Sequence, residues 1–102
     1  MLFIYTTIKE KTDVQALANE VIGAKLAACA DYWPTHSTYL WEGKTVSVDQ
    51  YMVVFTTHSE YASELEAYIT VKHPYTVPMV ARTQIDIINN AYQQWANETT
   101  RA

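Results

Sequence analysis

Two prolines four positions apart, in His73-Pro74-Tyr75-Thr76-Val77-Pro78, set a hard boundary in the second half of the chain. Proline fixes φ and lacks an N–H, and it pushes the preceding residue towards extended geometry. A helix entering this stretch must end at His73. A helical pattern does precede it: Tyr61, Leu65, Tyr68 and Ile69 share one face, opened by the capping-box-like Thr57-His58-Ser59-Glu60. An extended pattern follows, from Val77 to Ile87, with Pro78 at its start. The connector is stiff and carries an imidazole and a phenol, so it is either simple turn punctuation or the wall of a site.

The first half repeats this order. Leu2–Ile8 is β-branched and aromatic, with a near-continuous apolar start that suits a central strand. Thr12-Asp13-Val14-Gln15 has the form of a capping box. Val14, Leu17, Ala18, Val21 and Ile22 then trace a helical face, and the helix is expected to run to about Ala27. Cys29–Trp41 is extended, with Pro34 demanding an edge, a bulge or a break. Glu42-Gly43-Lys44 supplies a turn, and Tyr51–Thr57 is the next strand. Ile88, Tyr92, Trp95 and Ala96 predict a short C-terminal helix opened by Asn89 or Asn90, with a frayed tail from Glu98 to Ala102.

The expected architecture is therefore α+β: a ferredoxin-like βαββαβ domain over residues 1–102, with a long β2–β3 hairpin and a short C-terminal helix. Two helices cover one sheet face. The other face and the overlong hairpin need cover, which predicts self-association. Eight Tyr and three Trp in 102 residues point the same way, because large amphipathic rings favour interfaces.

Charge narrows the partners. The net charge is −4 and no Lys/Arg cluster exists, which disfavours nucleic acid and anionic membranes. No stretch approaches the ~20 apolar residues of a membrane span, and the apolar N-terminus lacks a basic leader segment. One cysteine, Cys29, forbids an intrachain disulfide and suits a reducing, cytoplasmic setting.

Cys29, His36, His58, His73, Met52 and Met79 are the candidate metal ligands, and none have the spacing of a local site. A site from these residues must be assembled by folding or between subunits, and a thiolate, imidazole and thioether set suits copper. Cys29 also has the bland reading of a small buried hydrophobe, and His36 and His58 that of surface polarity. A Cys29–His73 nucleophilic pair lacks any glycine-rich oxyanion turn after the cysteine. With only Gly23 and Gly43 in the chain, there is no phosphate loop. Tyr39, Trp41, Tyr75, Tyr92 and Trp95 serve either as a cleft wall or as core and interface packing.

Four motifs occur in order: Lys25-Leu26-Ala27-Ala28-Cys29-Ala30, Trp41-Glu42-Gly43-Lys44, His73-Pro74-Tyr75-x-x-Pro78 and Tyr92-x-x-Trp95. Together they resemble the CutA family of divalent-cation tolerance proteins, over most of the chain. The resemblance implies a protomer similar to PII signal proteins, a homotrimer sealed by its sheets and hairpins, and a cleft between subunits. Carried over by motif, the cleft residues are Cys29, Tyr39, Trp41, His73, Tyr75 and Trp95. The family pattern has a Glu and a terminal Lys-Thr on the second hairpin strand, and an acidic residue after the second proline. This chain has Gln50, Thr56-Thr57 and Met79 in those places. Three charged cleft positions thus become neutral, which leaves Cys29 and His73 as metal ligands and Tyr39, Trp41, Gln50, Thr56, Tyr75 and Trp95 as other cleft contacts. The implied function is tolerance of copper or another divalent cation by a binding protein that is not an enzyme. A PII-like sensor of a small metabolite or a protein partner is the alternative.

Overall fold

The computed structural model describes residues 1–101. Its element order is β1 (Leu2–Ile8), α1 (Lys11–Gly23), β2 (Cys29–Trp41), β3 (Lys44–Thr57), α2 (Ser59–Lys72), β4 (Val80–Gln84) and α3 (Asn90–Thr99). The strands form one antiparallel sheet in the order β2-β3-β1-β4, as the ferredoxin-like reading requires.

Side-chain parity divides the sheet into two faces. Leu2, Ile4, Thr6 and Ile8 on β1 stand beside Thr57, Phe55, Val53 and Tyr51 on β3. This face packs on Val14, Leu17 and Val21 of α1 and on Ala62, Leu65 and Ile69 of α2, forming the core. The opposite face carries Phe3, Tyr5 and Thr7 of β1, the even positions Gln50–Thr56 of β3, and the odd positions Cys29–Trp41 of β2. Trp33, Tyr39 and Trp41 are about half exposed there.

The hairpin is longer than expected, because β3 begins at Lys44 and not at Tyr51. Glu42 and Gly43 both have positive φ, at 51° and 77°. They form a two-residue type I′ turn that lets Trp41 pair directly with Lys44. Beyond the Ile8–Tyr51 pair, β3 has only β2 as a neighbour, so residues 35–50 form a two-stranded ribbon. This arm stretches the molecule to 47 × 24 × 21 Å. Pro34 is accommodated because β2 is an edge strand, whose free side needs no donor.

Several boundaries differ from expectation. Thr12 lies inside α1, whose N-cap is Glu10 without a side-chain cap. The helix stops at Gly23 because Lys25 turns left-handed (φ 59°). The Lys25 and Leu26 amides then donate back to Ile22 and Val21 carbonyls at 3.0 and 3.1 Å, the Schellman pattern. Leu26 is still buried, as its pairing with Val21 in such a motif demands. Thr57 does not cap α2: its hydroxyl donates to the Leu26 carbonyl at 2.7 Å, and His58 is the N-cap. β4 is shorter than Val77–Ile87: it ends at Gln84, opposite Leu2, where its partner β1 runs out, and it begins only at Val80, opposite Thr6. Asn89 caps α3 through its side chain, accepting from Ala91 and Tyr92 amides. Ile88 lies before that helix and is exposed. The tail is docked: Thr100 is buried, and Arg101 donates its amide to Lys25 and its guanidinium to Glu64. Ala102 lies outside the described residues.

Candidate functional site

The Pro74 stop does more than end α2. His73 is the C-cap residue, and its ring is buried against the end of β1. Nδ1 accepts the backbone N–H of Tyr75 at 3.0 Å. The ring proton therefore sits on Nε2, which donates to the Thr7 carbonyl at 2.9 Å and lies 3.0 Å from the Thr6 hydroxyl. Burial holds this imidazole below its ordinary pKa, with the Thr7 carbonyl opposing in part. The Tyr75 ring tilts onto His73, with centroids 4.7 Å apart.

From Tyr75 the network crosses the sheet. Its hydroxyl donates to Gln50 Oε1 at 2.7 Å, and Gln50 Nε2 donates to the Ser37 hydroxyl at 2.8 Å. Gln50 is buried, so both amide atoms need these partners. A carboxylate at this position would accept from both hydroxyls, whereas an amide presents one acceptor and one donor and fixes the direction of the chain. Burial pushes the Tyr75 phenol up, helped by the nearby Tyr39 phenol and by the Glu10 and Asp13 carboxylates. Tyr39 stands two residues beyond Ser37 on the same face of β2 and is half exposed. Trp41, one turn-end further out beside Lys44, and Met79 are exposed and lie outside the network.

A second cluster lies towards the other end of the sheet. Cys29 opens β2 opposite Thr56, and Asp31 follows on the same face. Cys29 Sγ donates to Asp31 Oδ2 at 3.6 Å. Burial pushes the thiol up, and the Asp31 carboxylate adds to the effect. Tyr92 of α3 faces Cys29, Asp31 and the Thr56 hydroxyl, and burial followed by the Cys29 charge pushes its phenol up. Trp95 packs on Tyr92 at 5.4 Å and is half exposed.

Within the chain Cys29 and His73 do not meet. Cys29 pairs with Thr56, whereas the Thr7 carbonyl that receives His73 lies opposite Met52, four residues along β3. That is about 13 Å along the strand. Nor does His73 have a free lone pair, because Nδ1 is already an acceptor for Tyr75. The expected ligand pair thus cannot hold a metal within one chain, and His73 could serve only if that amide bond were released. Among the described residues no three His, Cys, Asp or Glu side chains form a metal-sized group. Sequence reasoning missed Thr6, Ser37 and Asp31. Alternation from Cys29 along an extended run was enough to place Asp31 on the same face, but Thr6 and Ser37 carried no signal without the register.

The comparisons with known proteins bear on this layout. A family model described as CutA1 divalent ion tolerance protein matches residues 2–99. The chain belongs to the CutA1 family. A CutA relative from Thermococcus kodakarensis, named divalent-cation tolerance protein, is 31% identical over 94 residues, covering 92% of this chain and 90% of its own. The crystal structure of CutA1 from Pyrococcus horikoshii superposes with a TM-score of 0.96 at 27% identity, covering both chains fully. That of CutA1 from Oryza sativa gives 0.93 at 31% identity, over 98% of this chain and 93% of its own. The long hairpin and the terminal helix are therefore part of the CutA1 fold shared with these proteins. No helix among the described residues is long and apolar enough to cross a membrane.

Proposed function

We propose that this protein acts in divalent-cation tolerance as a cytoplasmic homotrimer that binds copper or another divalent ion weakly, with Cys29 as the thiolate ligand, and that it is not an enzyme. Membership of the CutA1 family carries the tolerance reading. The ribbon at residues 35–50 supports the assembly: a free two-stranded ribbon is marginal in water, and this one holds Tyr39 and Trp41 half exposed. Packing that arm on a second and third copy would cover both rings. His73, with both nitrogens engaged, contributes by positioning Tyr75 and Gln50 in the cleft wall. Native mass spectrometry with copper and zinc tests this. A trimer that retains metal supports the reading, and a monomer, or a trimer that retains none, sinks it.

One observation favours a PII-like sensor as the second reading. A groove of about 690 Å³ lies between the start of α1 and the hairpin, lined by Lys9, Lys11, Thr35, His36, Gln50 and Tyr51 among others. It mixes donors, a phenol and network-bound Gln50, as a small polar metabolite would require. A metabolite that raises the melting temperature in the presence of chelator would favour this reading.

A further inference from the structure

We infer that α3 is a latched strap: it swings as one unit about the linker before it, its latch is Arg101 on the turn between α1 and β2, and its release uncovers Cys29 and Thr56 while the core stays folded. The inference concerns access to the Cys29 end of the sheet, and it holds whether or not a metal binds there.

The strap is a unit because its bonds are largely its own. Asn89 accepts the Ala91 and Tyr92 amides, and Gln93 Nε2 donates back to the Ile87 carbonyl. Thr100 closes the other end, its amide and its hydroxyl donating to the Ala96 carbonyl at 3.1 and 2.9 Å. None of these bonds breaks if residues 87–100 move as a body. Residues 85–89 have no regular structure and Ile88 is exposed. The Ile85 amide is tied to the Met1 carbonyl at 3.2 Å, which leaves Asp86 as the hinge.

Little apolar burial holds the strap down. Within α3 only Ala96 is buried, with Thr100 just beyond it. By contrast α1 buries Val14, Leu17, Ala18 and Val21, and α2 buries Ala62, Leu65 and Ile69. An element with few buried apolar contacts opens at lower free energy than the core. What else fastens α3 is Tyr92, which faces Cys29 and the Thr56 hydroxyl, and the latch.

Arg101 makes that latch from three bonds. Its amide donates to the Lys25 carbonyl at 2.8 Å, and its guanidinium donates to Glu64 at 2.6 Å and to the Ala24 carbonyl at 3.4 Å. Carbonyls at the end of a helix have no partner inside it, so the tail satisfies groups that α1 leaves over. The turn it grips leads directly through Leu26 to Cys29. Both fastenings of the strap, Tyr92 and Arg101, therefore converge on the start of β2.

The test is amide hydrogen exchange of the full chain read by mass spectrometry, with iodoacetamide alkylation of Cys29 as a second readout. The variants are Arg101→Ala and Glu64→Gln. Both side chains are about half exposed, so neither substitution leaves a buried cavity. In the wild type the amides of α3 should exchange faster than those of β1. In Arg101→Ala they should exchange about tenfold faster still, the scale of a lost charged hydrogen bond. β1 should keep its protection, and Cys29 should alkylate several-fold faster. Glu64→Gln should act in the same direction but less, because Arg101 keeps its bonds to the α1 turn. Exchange of α3 only together with β1 overturns the strap. Unchanged α3 exchange in both variants overturns the latch, and α3 exchange that quickens without faster alkylation overturns the cover over Cys29.

Discussion

The backbone amide of Tyr75 donates to Nδ1 of His73 at 3.0 Å, two residues back across a proline. This short bond sets the tautomer of a buried imidazole and aims the Tyr75 hydroxyl at Gln50. Protonating the ring would set one donor against another. With its pKa lowered by burial, His73 binds fewer protons in the folded state than in the unfolded one, so its contribution is complete above the ordinary imidazole value of about 6.5. It is lost as the pH falls from there through the lower folded value. Denaturant midpoints measured from pH 7.5 down to pH 5 should decline in the wild type. The decline should be shallower in His73→Gln, and equal slopes would show that this ring does not titrate with folding.

Tyr75→Phe keeps the ring packing on His73 and removes one hydroxyl. Gln50 Oε1 then lies buried without its donor. The loss should be about 1–2 kcal/mol, read as a lower urea midpoint at fixed protein concentration with an unchanged slope. Adding Ser37→Ala should cost less than the sum of the two single changes, because both act on one amide.

Cys29 should react slowly with iodoacetamide at neutral pH. Burial and Asp31 both favour the thiol over the thiolate. Asp31→Asn removes the second of these influences and should move the pH–rate midpoint for alkylation down. A midpoint that stays in place would show that burial alone controls the thiol.

Lys25 sits at φ 59° in the turn that ends α1. Left-handed backbone costs a side-chain-bearing residue roughly 1–2 kcal/mol, and glycine escapes most of that cost. Lys25→Gly should therefore raise stability by some tenths of a kcal/mol to about 1 kcal/mol, offset in part by the greater entropy of its unfolded chain. Thermal unfolding reports the sign, and a lower melting temperature would mean that the lysine stem contributes more than its backbone costs.

Strand and helix order was legible because periodicity is local: the faces of Val14–Ile22 and Tyr61–Ile69, and the β-rich run at Leu2–Ile8, each declare themselves within one element. Pro74 declared the end of α2 for an equally local reason. The boundaries that moved were settled by distant partners. Thr57 looked like a cap, but the Leu26 carbonyl claims its hydroxyl. β4 stops at Gln84 because β1 has no residue beyond Leu2 to pair with it. The candidate site divides in the same way. Tyr75 and Gln50 meet within one chain, and no motif could show that the amide of Tyr75 occupies His73. Asp31, two residues beyond Cys29, shares its face by simple alternation, yet an exposed acid on an edge strand carries no signal of its own.

The position of β1 has a consequence for how the chain reaches this state. It is the first of the four strands in chain order and a central strand of the finished sheet, where Leu2 lies between Thr57 and Gln84. The β2–β3 hairpin closes through a two-residue turn and can zip from neighbours in sequence. β1 must wait for both flanks, and closing such long loops is what slows folding. The kinetic nucleus is therefore expected in the hairpin and its helices, with mutations at Leu2 or Ile4 changing the unfolding rate more than the folding rate.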